Sequence, residues 1–245
     1  MAPAQPLHYD GAELEALATA DRYYEWILAE FELERLGTCL EVGAGTGNLT
    51  RRLRRHSPDA MVCLEPSTNL LERLRETVET GNGDRVKTDI VAQSFEAFAV
   101  QQRSASFDSI VCVNVLEHIR DDRSAVREMH RLLRPGGRLY LMVPALQWIY
   151  GSLDEAFGHY RRYAKRPLRQ LLQDAGFQVE KLRYLNSAGI ATWFLMGRIF
   201  KWRGWGTGSV TVYDQLVIPI LQRIESIVEP PIGQSLLTVA TKPAA

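Results

Sequence analysis

Residues 41–47 read EVGAGTG, and their types and spacing are the first sign of chemistry in the chain. Gly43, Gly45 and Gly47 alternate behind an apolar run and ahead of a helix-like segment, NLTRRLRRH. Glycines at such a turn accept left-handed backbone angles and admit a ligand to the main chain without a Cβ in the way. The turn can serve a dinucleotide, another nucleotide, or structure alone. A dinucleotide fingerprint spaces its glycines G-x-G-x-x-G, whereas here the spacing is G-x-G-x-G. Glu41 stands two residues before the first glycine, where a carboxylate repels a pyrophosphate and suits a cationic ligand. Polar residues also close three later apolar runs: Glu65 after AMVCL, Asp89 within RVKTDI, and Asn114 after FDSIVCV. A carboxylate about twenty residues beyond the glycines can accept from both ribose hydroxyls, and Asp89 can accept from an adenine amino group. Any one of these is an ordinary strand end; four around one glycine turn describe a nucleoside site.

A second concentration of chemistry lies at 148–163, WIYGSLDEAFGHYRRY. His159 has an imidazole whose ordinary pKa lies near neutrality, which suits a general base. Arg161 and Arg162 suit a clamp on an anionic acceptor group, and Trp148, Tyr150 and Tyr160 offer aromatic surface to an acceptor. The plainer reading is that His159 and the arginines tie this segment to the core. His118, in LEHI, follows the fourth apolar run and serves either as a packed helix-start residue or in catalysis. Tyr23 and Tyr24 sit where a leading helix can close over a ligand. His8, His56 and His130 have no partner spacing and receive no role. Cys39, Cys63 and Cys112 lie in separate apolar segments, without metal-ligand spacing or an even count for disulfides. They read as buried, reduced thiols, and no metal site is expected.

These residues need a frame, and the hydropathy pattern supplies one. Apolar runs TCLEVG, AMVCLE, RVKTDI, FDSIVCVN and RLYLMVP alternate with helix-length amphipathic runs. Several are apolar at successive positions, as strands buried on both faces of a parallel sheet are. Ser67 and the pair Asp121–Asp122 suit helix starts, and RPGG at 134–137 stops a helix and turns the chain into the next strand. The pattern predicts an α/β fold with a doubly wound, Rossmann-like sheet. An initial helical region spans about 11–36, and FQVEKLRYL and SLLTVATK read as two closing strands.

With that order of elements, the chain resembles the class I S-adenosylmethionine-dependent methyltransferases. LEVGAGTGNLT, CLEPS, TDI, FDSIVCVNVLEHI and LLRPGGRLYLMVP carry the resemblance, over roughly 36–145. It implies a seven-stranded sheet with the last strand antiparallel, an N-terminal helical cap and a helical insertion before the final strand. It also implies the cofactor S-adenosyl-L-methionine. Glu41 with Gly43, Ala44, Gly45 and Gly47 would line its methionine and ribose side, and Glu65 with Pro66 its ribose. Asp89 and Ile90 would hold the adenine, Asn114 and Val115 the methionyl end, and Tyr24 would close over it. The box D-x-x-x-G-H-x-R-R-Y at 154–163 resembles a subgroup of these enzymes linked to glycan and natural-product chemistry.

The acceptor is bounded more loosely. The Asn/Asp-Pro-Pro-aromatic box of amino-group methyltransferases is missing from NVLE. Lysine plus arginine equals aspartate plus glutamate, 29 each, so no net field favours nucleic acid. The expected acceptor is an O or N atom of a small molecule or of a glycan- or lipid-carrier-linked group. A non-catalytic S-adenosyl-nucleotide-binding regulatory protein on the same fold is the alternative. No secretory leader and no run of about 18–20 apolar residues is seen, so the expected compartment is the cytoplasm. The stretch AGIATWFLMGRIFKWRGW, 188–205, poses a membrane-surface question; packing on the sheet or a homodimer contact is the simpler reading. The expected organisation is one domain over 1–245, with a cap at 1–36, a cofactor half at 37–145 and an acceptor half at 146–245.

Overall fold

The computed structural model describes residues 19–80, 86–202 and 207–244. Helix α1 (Asp21–Phe31) leads into β1 (Thr38–Val42), α2 (Asn48–Arg54), β2 (Ala60–Leu64), α3 (Leu71–Glu79) and β3 (Lys87–Val91). Then come α4 (Phe95–Gln101), β4 (Phe107–Val113), α5 (Asp122–Leu132) and β5 (Leu133–Pro144). Short α6 (Ser152–Ala156) and α7 (Lys165–Asp174) precede β6 (Gln178–Leu185). Helices α8 (Gly189–Trp193), α9 (Thr207–Val212) and α10 (Ile218–Ile227) precede the final strand β7 (Ser235–Thr241). The strands form one sheet of order β3-β2-β1-β4-β5-β7-β6. Strands β1 to β5 run parallel, and β7 lies antiparallel between β5 and β6. The α/β class, the seven strands and the antiparallel last strand are all as the resemblance implies.

The continuous apolar runs are explained by burial on both sides. Leu40, Val42, Ile110, Cys112, Leu139 and Leu141 pack against α4, α5 and α7. Their neighbours Cys39, Met61, Cys63, Val111, Tyr140 and Met142 pack against α1, α2, α3 and α10. Successive side chains of a strand point to opposite faces, so both parities must be apolar. The three cysteines are buried and free.

Several local readings are corrected by tertiary structure. Asp121 caps α5, its carboxylate accepting from Ser124 N at 3.0 Å. Ser67 does not cap α3: the helix starts at Leu71 after a turn, and the Ser67 N–H donates to Glu65. The RPGG segment follows the end of α5 but lies inside β5 as a bulge, since Phe107 pairs with Leu133 and Ser109 with Arg138. Within the expected helical region 11–36 the described helix is Asp21–Phe31 and residues 33–37 are not helical, while residues 1–18 of the expected cap lie outside the described residues. In the C-terminal part, a wide π-helical segment at Tyr213–Val217 precedes α10, which begins at Ile218 with Pro219 in its first turn. Proline lacks the N–H for the i→i−4 bond, so an unbroken α-helix cannot run through it. After α8, a second π-helical stretch, Phe194–Ile199, leaves Leu195, Ile199, Phe200 and Trp202 exposed while Trp193 is buried. Arg203 and Trp205 of the 188–205 segment lie outside the described residues. No helix among the described residues is long and apolar enough to cross a membrane.

Candidate active site

A cavity of about 350 Å³ opens at the carboxyl ends of β1, β2 and β4, where the strand order reverses between β1 and β4. Its floor is the glycine turn. Gly43 N and Ala44 N both donate to Leu64 O, at 2.9 and 2.8 Å, which pins the turn to β2. Gly43 has φ +75°, and a Cβ there would lie 2.3 Å from Val115 Cγ2, so only glycine lets the turn meet the end of β4. Gly47, at φ +87°, starts α2, where a Cβ would meet Thr77 at 2.8 Å. Gly45 N donates to Glu65 Oε2 and Ser67 N to Glu65 Oε1, each at 2.8 Å. Each Glu65 oxygen can accept a further hydrogen bond, and the residue lines the cavity. Pro66, Asn114, Val115 and Tyr24 also line the cavity, as does Tyr23. Asn114 takes φ +53°, a left-handed angle that asparagine tolerates better than most residues. Burial pushes the Tyr24 hydroxyl up to about 12, outweighing the Arg52 guanidinium 4.9 Å from its ring centroid.

Three residues expected to hold the cofactor, Glu41, Asp89 and Ile90, are not among those that line the cavity. Glu41 lies behind the turn, on the α1–α2 side of the sheet. Its Oε2 accepts from Thr50 Oγ1 at 2.6 Å and Oε1 has no hydrogen-bond partner. Burial pushes its carboxyl up to about 7, only partly opposed by Thr50 and Cys63. Asp89 and Ile90 lie mid-strand on the edge strand β3, which runs on to Val91. Asp89 is exposed and pairs with Lys87 at 3.6 Å, and Ile90 packs against the core. β3 ends two residues beyond Asp89 rather than at it.

The opposite end of the cavity is built around Asp154, which is fully buried. Its Oδ1 accepts from Arg162 Nε at 2.7 Å and meets His159 Nδ1 at 2.8 Å. Its Oδ2 accepts from Gly151 N at 3.0 Å and from Trp193 Nε1 at 2.9 Å. Burial pushes this carboxyl up, but the His159 bond and the Arg162 charge outweigh it and hold it below the usual range. A carboxylate accepts and cannot donate, so Nδ1 points its proton at Asp154, and in the neutral imidazole the lone pair is then on Nε2. That nitrogen lies 4.0 Å from Glu117 Oε1. Glu117 is fully buried, and neither carboxylate oxygen has a hydrogen-bond partner. Burial pushes its carboxyl up to about 7 against the pull of His159 and Arg162. The His118 ring meets that of His159 edge-on at 4.8 Å, and burial with the His159 charge pushes it down to about 4.

Among the aromatic and basic residues expected to bind an acceptor, only Arg162 lines this cavity. Arg161 instead grips the start of α5, through Asp122 Oδ2 at 2.8 Å and Arg120 O at 2.7 Å. Tyr150 donates to His159 O at 2.8 Å, bracing the segment from outside. Trp148 is exposed and rests near Phe194, and Tyr160 is exposed beside Arg161. Of these four, Arg161 and Tyr150 hold the 148–163 segment over the end of β5, where Ala145 bridges Tyr163, while Trp148 and Tyr160 leave their rings exposed.

Sequence reasoning passed over Glu117, adjacent to His118, and the wall contributed by Trp193, Tyr213 and Asp214. Asp214 accepts from Tyr23 N at 2.8 Å and Arg22 N at 3.2 Å, so it caps α1 from a distant helix. No spacing signal marks such a contact. The LEH triplet did offer a sign: a carboxylate directly beside a histidine just past a site-forming strand.

Comparison with known proteins agrees with this architecture. A family model described as a methyltransferase domain matches residues 16–182. A ubiquinone biosynthesis O-methyltransferase of Xanthomonas euvesicatoria pv. vesicatoria is 30% identical over 194 residues, covering 73% of this chain and 74% of that protein. A protein of the same name from Xanthomonas axonopodis pv. citri is 31% identical over 155 residues, covering 58% of this chain and 62% of its own. Among solved structures, a putative methyltransferase in complex with the Trm112 activator of Haloferax volcanii superposes with TM-score 0.63. It is 19% identical, with 96% of this chain and 95% of that one covered. The glycine turn, the acid at the end of β2 and the sheet order thus have their explanation: the chain belongs to the methyltransferase-domain family and is an S-adenosyl-L-methionine-dependent methyltransferase.

Proposed function

We propose that the chain methylates a hydroxyl oxygen of a small or carrier-linked acceptor, presented to the cofactor at the Glu117–His118–His159 end of the cavity. The supporting observation is the continuity of one cavity from the nucleoside cradle at Glu65 to this buried polar cluster. The Glu65 carboxylate holds the ribose hydroxyls, and the backbone of Gly43–Gly47 takes the nucleoside close against the sheet. Asn114 and Tyr24 border the methionyl end. When bound, S-adenosyl-L-methionine supplies a methyl group already activated on a sulfonium. The protein's work is then alignment and exclusion of water, which supply most of such a rate enhancement.

Tyr23, Phe157, Trp193 and Tyr213 give the acceptor end flat aromatic walls, and these favour an acceptor with a planar ring. The O-methyltransferase names of the Xanthomonas relatives support oxygen as the reacting atom. Methyl transfer from radiolabelled cofactor to a panel of phenols, alcohols, sugars and amines tests this. Turnover of a phenol or alcohol is expected; turnover confined to amines would overturn the oxygen assignment.

A further inference from the structure

We propose that Glu117, His118 and His159 bind a divalent transition-metal ion of the manganese-to-zinc series, with an open position facing the acceptor. The three side chains offer ligand atoms that all lie within 4.8 Å of one another. A metal with bonds of about 2.0–2.2 Å holds its ligand atoms roughly 3–4 Å apart, so side-chain rotations of under about an ångström close the site. His159 Nε2 and Glu117 Oε1, at 4.0 Å, already span such a gap.

Three independent features point to a cation in that gap. Glu117 has both carboxylate oxygens buried and unpartnered, facing the cavity. A carboxylate in that state carries the full cost of lost hydration, and a cation is the group that removes it. His159 is aimed by Asp154 through Nδ1, leaving Nε2 as the donor atom. A ligating histidine almost always gives its other N–H to a carboxylate or carbonyl in this way. Asp154 is itself fixed by Arg162, Trp193 and Gly151, so the orientation is rigid. Two imidazoles and one carboxylate suit first-row divalent ions and leave coordination positions open.

The charge balance is also reasonable. Asp154 and Arg162 cancel, so a dication on Glu117 leaves one positive charge, which an acceptor oxygenate neutralises. Such an ion would hold the acceptor oxygen and favour its deprotonated form. The proton leaves to solvent, the oxygen lone pair forms the new O–CH₃ bond, and the S–CH₃ pair returns to sulfur, giving S-adenosyl-L-homocysteine. Spacing alone hid this site because its ligands come from two segments, 117–118 and 159.

The inference rests on reading the cavity as the methyl-transfer site, and the experiment separates the two. The full chain, stripped with a chelator, is titrated with Co²⁺ while its visible d–d bands are followed; binding of S-adenosyl-L-homocysteine is measured by calorimetry on the same samples. One saturating Co²⁺ equivalent per chain is expected. Glu117→Gln and His118→Gln should each weaken it at least about tenfold, with homocysteine-nucleoside binding held within about threefold. The sulfur of that product is an uncharged thioether, so it does not depend on the Glu117 charge, and binding of the nucleoside at Glu65 reports folding. No d–d bands in a chain that binds the nucleoside overturns the metal site and leaves the methyltransferase reading standing. Bands that survive in both variants place the metal elsewhere and also overturn it. Failure to bind the nucleoside overturns the underlying reading instead.

Discussion

Replacing Glu41 by glutamine isolates the energetic consequence of burying a carboxylate behind the glycine turn. The side chain is almost fully buried, with one oxygen bonded to Thr50 and the other without a partner. Burial raises its carboxyl from the model-compound value of 4.5 to about 7. The folded chain therefore holds a proton there that the unfolded chain has released. A raised folded pKa contributes stability that is fully present below about 4.5 and falls as pH rises, levelling off above about 7. A shift of this size corresponds to about 3 kcal/mol at about 1.4 kcal/mol per unit. Glutamine cannot ionise, so Glu41→Gln lacks this slope, although it keeps an acceptor for Thr50. Urea unfolding of both proteins at intervals between about pH 4.5 and 8 measures it. The wild-type unfolding free energy should fall relative to the variant by a few kcal/mol across the interval. The difference is the quantity to read, because Glu117 titrates in both proteins and cancels. A pH-independent difference would refute the argument that burial dominates at Glu41.

Further outcomes follow from the same geometry. Gly43→Ala places a Cβ 2.3 Å from Val115 at φ +75°; a loss of more than about 1 kcal/mol in urea unfolding is expected, with weaker S-adenosyl-L-homocysteine binding by calorimetry. Glu65→Ala removes the acceptor for Gly45 N and Ser67 N and should weaken nucleoside binding at least about tenfold, equivalent to roughly 1.4 kcal/mol. Asp154→Ala leaves four donors, from His159, Arg162, Trp193 and Gly151, without their carboxylate. A loss of about 3–5 kcal/mol should appear in urea unfolding. Cys39, Cys63 and Cys112 are buried, with burial pushing their thiols up, Cys39 to about 12. A thiol reagent should modify them only as the chain unfolds.

The parts legible in the sequence are those whose cause is local. Alternating glycines, Glu65 at the end of β2 and Asn114 at the end of β4 each follow from a strand end meeting a turn. The two-sided burial of β1, β4 and β5 is likewise written in unbroken apolar runs. Asp89 shows how thin the margin is: β3 continues to Val91, so a shift of two residues moves an expected ligand onto an exposed strand edge. The 148–163 segment was legible as important but not as to which side chains turn inward. The Arg161 side chain grips 120–122, Tyr160 is held there by its backbone N–H with its ring exposed, and Tyr150 turns back on its own segment, leaving His159 and Arg162 to face the cavity. Those choices depend on contacts some forty residues apart, for which sequence periodicity has no signal. The same holds for Asp214, which caps a helix 191 residues earlier.

The central claim is that one cavity holds the cofactor with its sulfur turned toward Glu117, His118 and His159. A crystal structure of the chain with S-adenosyl-L-homocysteine tests it most directly. The expected result places the ribose hydroxyls on the Glu65 carboxylate, the nucleoside against Gly43–Gly47, and the sulfur facing that cluster. A nucleoside bound away from Glu65, or a sulfur pointing out of the Glu117 end, would contradict the account.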